Sequence, residues 1–352
     1  MRYTNYPKEP IAEGELPSKP VWVFEASERI TSTPVFSDGR IFIKTDNLIY
    51  ATDSTNGTEF WHRLSQSYSS PNFAPVVAGD RLIVVEKYSN LSAYRTDSGE
   101  RLWQAQSRYE GIEDPTLTQV EAMALGLNLV LVARRNHGLT AYSLASGEIV
   151  WSVPAPDRTI LYLAADTQTV YLAAGRTLLA YDISTGKLRW EKAFPSLVGP
   201  ILVNDGVLFV ALRRGITCLL ALDLDAGTLS EKWQIYSGDL LEDEPRTIVI
   251  EGDLLLLGGQ KLVGILKETG KIQWISQSTG WLERPVVFGD RVYVRNTMTT
   301  LFAFDLANGQ EKGRLTLQEN TPLKHEAERS PVVAGGLLIV PFGDERIFAY
   351  SP

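Results

Sequence analysis

The chain has 352 residues, of which 44% are hydrophobic and 22% charged, with a formal net charge of −8. That balance is ordinary for a globular protein and argues against a nucleic-acid binder, which would carry a basic face. No apolar run approaches the roughly 18 residues of a membrane helix. The single cysteine, Cys218, excludes an intramolecular disulfide and reads as a buried, inert thiol.

Residues 1–19 (MRYTNYPKEPIAEGELPSK) are polar and Pro-rich, without apolar periodicity. They predict a flexible leader and carry no signal peptide. Such a leader would suit a tether between a membrane anchor and the domain that follows; a disordered cytosolic end would look the same. The first predicted strand is residues 20–25, with Val21, Trp22, Val23 and Phe24 at its centre.

From there the chain repeats itself. The phrase IYATDSTNG (Ile49 to Gly57) returns as LSAYRTDSG, LTAYSLASG, LLAYDISTG, LLALDLDAG, LVGILKETG and LFAFDLANG, and a truncated copy, IFAYSP, occupies 347–352. The copies start 42, 48, 39, 41, 43, 39 and 46 residues apart, the signature of a repeat architecture. Within each copy the alternation predicts a half-buried strand. A small residue recurs at one place (Ala51, Ala93, Ala141, Ala180, Ala221, Gly264, Ala303, Ala349), which implies close approach of a neighbouring sheet. Turn glycines follow at Gly57, Gly99, Gly147, Gly186, Gly227, Gly270 and Gly309, suited to the positive φ of a tight hairpin. Next comes a tryptophan: Trp61, Trp103, Trp151, Trp190, Trp233 and Trp274, with Gly313 standing there in the seventh copy.

Upstream of each phrase lies a second hairpin, as in TPVFSDGRIFI (33–43), APVVAGDRLIV (74–84) and RPVVFGDRVYV (284–294), with Pro at the strand entry and Asp-Gly or Gly-Asp at the turn. Repeats three, four and six carry degraded versions. One repeat is therefore four antiparallel strands, A to D, on about 40 residues, the size of a propeller blade. The eighth copy stops before its D strand, and Trp22 lies 39 residues before Trp61, in register. Residues 20–25 are thus expected to supply the missing D strand and close the ring. The expectation is an all-β, eight-bladed β-propeller in one domain over 20–352.

Few residues suggest chemistry. Glu110, Glu113 and Asp114, and Glu242, Asp243 and Glu244, form acidic runs ending at Pro, which read as solvated loops; the histidines His62, His137 and His325 fit no metal spacing. No nucleophile elbow or phosphate-binding loop is present. The variable D–A loops, 105–119, 235–246 and 315–329, are where a rigid ring would build a binding surface. Basic residues follow strand B in nearly every blade: Lys44, Lys87, Arg134, Arg135, Arg176, Arg213, Arg214, Lys261, Arg295 and Arg346. They would form a cationic crown on the loop face, a site for an anionic ligand or acidic partner; the alternative is that they cap strand ends or pair with acidic loops. Trp281, the one tryptophan out of register, sits in a loop beside Arg284 and reads either as an interface anchor or as a cap on its blade. Tyr68, Tyr109 and Tyr236 stand in comparable loops.

The repeated phrase, with Ala51, Asp53, Gly57 and Trp61 or Ala180, Asp182, Gly186 and Trp190 at its landmarks, closely resembles the PQQ-like repeat. The resemblance covers 20–352. It implies that the repeat Trp and Gly residues, Trp22 included, lock blades together and bind no quinone. The family has two branches. Quinoprotein dehydrogenases carry PQQ and Ca²⁺ with adjacent cysteines under the quinone, which one cysteine cannot supply, and long inter-blade insertions, for which the spacing leaves little room. The non-catalytic branch is exemplified by the lipoproteins of outer-membrane assembly, the BamB group, whose size and blade count are similar. The resemblance therefore implies a monomeric, non-catalytic, extracytoplasmic scaffold (periplasm or outer surface, with an anchor upstream of residue 1 left open) that binds a protein partner and no cofactor. The alternatives are a PQQ-dependent dehydrogenase or its relic, and a ligand-sensing propeller.

Overall fold

The apolar alternation of each repeat folds as short strands joined by tight turns. The computed structural model describes residues 11–17, 19–65, 73–86, 89–105, 120–154, 161–213, 217–224, 229–240, 245–277, 280–297, 300–316 and 329–351. Among the described residues, thirty-three strands in eight antiparallel sheets make an eight-bladed β-propeller, with a short 3₁₀ turn at Ser237–Leu240. Two strands, β1 (Ile11–Gly14) and β2 (Trp22–Glu25), precede the first repeat. Blade 1 is β3 (Val35–Ser37), β4 (Arg40–Lys44), β5 (Leu48–Asp53) and β6 (Glu59–Leu64), side by side in that order. Blades 2 to 6 follow the same A–B–C–D order with twenty strands between Val76 and Ile275. Blade 7 is built on β27 (Val286–Phe288), β28 (Arg291–Arg295), β29 (Thr300–Asp305) and β30 (Glu311–Thr316), and blade 8 on β31 (Val332–Ala334), β32 (Leu337–Phe342) and β33 (Arg346–Tyr350).

Burial follows position in the blade. B and C strands lie between neighbouring blades and are covered on both faces, so β4 and β5 are buried along nearly their whole length. The D strand is outermost, and in β6 only Trp61 is buried. The core is accordingly a series of apolar clusters, each joining the facing strands of adjacent blades.

Every one of these clusters but that between blades 7 and 8 holds a tryptophan. The Trp61 indole N–H donates to the Thr96 carbonyl of the next blade at 3.2 Å, and a Cβ on Gly99 would lie 2.7 Å from the Trp61 ring. The same geometry pairs Trp103 with Gly147, Trp151 with Gly186, Trp233 with Gly270 and Trp274 with Gly309. The Trp22 ring packs on Gly57 likewise, but its indole N–H meets no acceptor among the described residues. The glycines have φ near +70, so a side chain there would suffer both conformation and collision. Gly227, expected opposite Trp190, lies outside the described residues. The small residue of strand C faces its own blade's tryptophan rather than only a neighbouring sheet: Ala51 pairs with Trp61, and a Cβ on Gly264 would lie 2.4 Å from the Trp274 ring. The aspartate of the repeat caps the turn. Asp53 accepts the backbone N–H groups of Thr55 and Asn56, and Thr55 hydroxyl donation is the main reason its carboxyl stays below the usual range.

Ring closure is as the sequence implies. β2 pairs antiparallel with β33 (Trp22 with Ala349, Glu25 with Arg346) and completes blade 8. Residues 11–14, expected within a flexible leader, instead form β1 and pair with β30, Ile11 with Thr316 and Gly14 with Gly313, so blade 7 has five strands. The reason lies in the tryptophan register. Blade 8 takes its outer strand from β2, so no C–D turn, and no turn glycine, exists there to receive a tryptophan from blade 7. Gly313 occupies that tryptophan position, paired with Ala303, and leaves room for the incoming strand. Leu16 is buried among Tyr293, Leu301 and Ala303 of blade 7 and Leu338, Val340 and Tyr350 of blade 8. One N-terminal leucine thus fills the seam that a tryptophan fills elsewhere.

Candidate functional site

The strand order puts the D–A and B–C connections on one face and the tight A–B and C–D turns on the other. The ends of all B strands, and therefore the expected cationic crown, lie on the loop face. The side chains do not form a uniform exposed ring there. Arg134 is 2% exposed and Arg295 is 1% exposed. Arg134 donates to the Ser89 carbonyl of blade 2 at 3.0 Å and lies 5.4 Å from the centre of the Tyr142 ring. Arg295 donates to the Pro341 carbonyl of blade 8 at 2.9 Å. Arg329, which no repeat position marks, is equally buried and donates to the Gly343 carbonyl at 2.6 Å. Arg134 and Arg295 thus tie adjacent blades together, blade 3 to blade 2 and blade 7 to blade 8, while Arg329 braces the B–C loop of blade 8 itself.

The remaining crown residues divide. Arg135 is bound to Glu121 at 2.6 Å, and Arg213 and Lys261 are half-buried. Arg176 is exposed at the end of strand B of blade 4. Arg346 lies over the Phe348 ring. Arg214 and Lys87 lie outside the described residues.

Lys44 is the least ordinary of the basic residues, with 1% of its surface exposed. Burial pushes its ammonium down to about 8, opposed by the carboxylates of Glu86 and Asp46. Glu86, also buried, accepts from Ser92, from the Tyr94 hydroxyl at 2.6 Å and from Gln104 at 2.8 Å. Desolvation first, and Glu86 next, push the Tyr94 hydroxyl up. The Glu86 carboxylate is thus satisfied by donors of blade 2, and its charge attracts Lys44 at the loop-face end of blade 1.

Trp281 sits where blades 6 and 7 meet on the same face. The Arg246 guanidinium lies 3.5 Å from its ring centre, and the Trp281 carbonyl accepts from Thr297 N–H at 2.8 Å. Trp281 is half-buried, while Arg246 and Arg284 are exposed. The pair is a rigid aromatic–cation plate with one side open to solvent, which suits contact with a carboxylate or an aromatic partner. Tyr236 is 46% exposed, its hydroxyl held by Gln234 at 2.9 Å and its backbone N–H by Asp239. Tyr68, Tyr109, His325, the acidic runs around Glu113 and Asp243, and most of the loops 105–119 and 315–329 lie outside the described residues, as does the side chain of Cys218.

On the opposite face the sequence predicts only scaffold. There the A–B turns of blades 2 and 3 border an open concavity of about 440 Å³ lined by Asp80, Arg81, Leu125, Leu127 and Leu144. Leu127 is 55% exposed and has a φ of 48, where the other blades use Asp or Gly. Among the described residues no three His, Cys, Asp or Glu side chains gather as metal ligands. Among the described residues no helix is long and apolar enough to cross a membrane.

Eight antiparallel blades, with tryptophan–glycine locks at six seams and the repeat A-x-D-x-x-(T/S)-G, define a β-propeller of the PQQ-like repeat class. The family model described as outer membrane protein assembly factor BamB matches residues 16–125, 135–279 and 233–352, and the chain belongs to that family. It is 21% identical over 275 residues to outer membrane protein assembly factor BamB of Yersinia pestis, a stretch covering 73% of this chain and 66% of that protein, just under two thirds. The crystal structure of BamB from Moraxella catarrhalis superposes with a TM-score of 0.71 at 14% identity, over 95% of this chain and 97% of that one. Quinohemoprotein alcohol dehydrogenase from Comamonas testosteroni superposes with a TM-score of 0.66 at 13% identity, over 94% of this chain and 75% of that one. At these identities the structural likeness is one of fold alone.

Proposed function

We propose that this protein is a non-catalytic, extracytoplasmic propeller that presents its loop face to a protein partner in outer-membrane assembly. The observation that carries the reading is the family match along most of the chain, named for an outer-membrane assembly factor. The site chemistry is consistent with it. The buried loop-face arginines Arg134 and Arg295 are spent on holding blades together, and Glu86 and Arg329 are satisfied within their own blades, which favours a rigid platform over a reaction centre. The exposed plate of Trp281 and Arg246, with Arg176 and Arg284 on the same face, favours a partner segment that is acidic or aromatic.

The test is crosslinking from the envelope of the native host with a photoreactive residue at Arg176 or Arg246, followed by identification of the conjugates. Recovery of outer-membrane assembly proteins, lost in Trp281→Ser together with Arg246→Ser and weakened by salt, supports the reading. Saturable binding of PQQ with Ca²⁺, accompanied by alcohol oxidation, overturns it in favour of the dehydrogenase branch.

A further inference from the structure

β1 is not needed to complete the ring. β2 supplies the fourth strand of blade 8, blade 7 already has four strands without β1, and at the other blades the D strand is outermost among the described residues. β1 is therefore an added strand on an otherwise finished sheet edge, a ligand supplied by the chain itself. What it contributes is readily described. Four residues pair with β30, the Glu15 N–H donates to the Lys312 carbonyl at 2.9 Å, and Leu16 enters the seam. Glu15 meets Arg291 at 2.7 Å, and Glu13 lies 4.0 Å from Arg314. Glu13, Gly14 and Glu15 are exposed, so Leu16 is the one buried anchor among residues 12–17.

The receiving edge is selective. Gly313 and Gly14 approach so closely that a Cβ on either would lie 2.5 Å from a carbonyl oxygen of the opposite strand. Any strand seated there needs glycine at that register, a leucine-sized residue two positions later to fill the seam, and acidic residues beside Arg291 and Arg314. Backbone pairing supplies affinity and the alternate side chains supply selection, which is the logic of strand addition at a sheet edge. A short strand with one buried side chain opens far more readily than the ring it rests on. Its opening exposes β30 as an unpaired edge.

We propose that the outer edge of blade 7 is a strand-exchange site, held in cis by residues 11–16 and taken over by an extended, acidic segment of a partner with the pattern acidic–Gly–acidic–Leu. The cis strand acts as a plug: it keeps the edge from promiscuous pairing and sets the affinity a partner must exceed. The seam geometry alone carries this exchange, independently of the outer-membrane reading.

The experiment uses the full chain and a fluorescent peptide of residues 9–18, EPIAEGELPS, as the probe, with binding read by anisotropy. Leu16→Ser frees the edge and is expected to bind the peptide roughly tenfold or more tighter than the unaltered chain, since one buried leucine is lost from the competitor. Gly313→Trp, which restores the repeat residue, and the oxidised pair Glu13→Cys with Arg314→Cys, which locks the cis strand, are expected to abolish binding. Equal binding by locked and freed chains, or no binding by the freed chain, overturns the proposal. Hydrogen exchange on the unaltered chain gives a second reading that needs no variant. Exchange of residues 12–16 well before the amides of β29 supports a removable plug; exchange only with global unfolding shows a permanent part of the fold and overturns it.

Discussion

Gly14 and Gly313 face each other across β1 and β30, each where a Cβ would strike the backbone of the other strand. The pair exists because the seam between blades 7 and 8 has no turn glycine to receive a tryptophan, so the outer strand of blade 7 carries glycine and admits the N-terminal segment. Gly14→Ala, at a φ of +73, should release β1 rather than unfold the ring. Its cost is then capped by what β1 contributes, about 2 kcal/mol for one buried leucine. Chemical denaturation should show that small loss, and limited proteolysis should show cleavage confined to the region before β2.

The locks at the other seams should behave differently. Gly186 has a φ of +70 and its Cβ would lie 2.7 Å from Trp151, whereas Gly39 has a φ of +74 with nothing within 4 Å. Gly39→Ala should cost about 1 kcal/mol for backbone conformation alone, and Gly186→Ala about 3 kcal/mol, since the indole must also move. Paired urea titrations measure the difference. Equal losses would show that the tryptophan does not press on the turn.

Lys44 should be a stability cost at neutral pH. Its folded-state value of about 8 lies below the 10.5 of the unfolded chain, so the native state holds the proton less firmly. The cost is fully present below pH 8 and is relieved as pH rises from 8 towards 10.5. Lys44→Met should therefore stabilise the protein at pH 7 by up to about 3 kcal/mol, and by much less at pH 10. Glu86 keeps Ser92, Tyr94 and Gln104 as donors, so the change leaves no bare carboxylate. Denaturation of both chains across that pH range checks the sign.

Leu127 and Asn128 form a turn with φ values of 48 and 60, the conformation that Asn-Gly adopts most readily. Leu127→Asn with Asn128→Gly should stabilise blade 3 by about 1 kcal/mol, because the leucine is exposed and its backbone is held where branched side chains are disfavoured. A raised melting temperature is the expected result. A fall would mean that Leu127 is held by packing in the concavity beside Asp80 and Arg81.

The sequence determined the ring by itself. Blade count, strand order, the closure by residues 20–25 and the turn glycines follow from periodicity and spacing, because blades 1 to 7 are each specified by contacts close in sequence and the register of the repeat extends to the strand that completes blade 8. The site was legible only as an inventory. The B-strand arginines announced themselves as a row of cations, but burial splits them: Arg134 and Arg295 turn inward to backbone carbonyls of adjacent blades, while Arg176 faces solvent. Arg329 joins the buried set without any repeat signal, and Arg246 pairs with Trp281 across 35 residues of sequence that no periodicity links. Gly313 was visible as a gap in the tryptophan register, yet its meaning depends on Gly14 and Leu16, nearly three hundred residues away. Strand patterns are local and survive in one dimension. Side-chain direction, desolvation and the filling of a seam depend on which surfaces the closed ring brings together, and only the tertiary structure decides that.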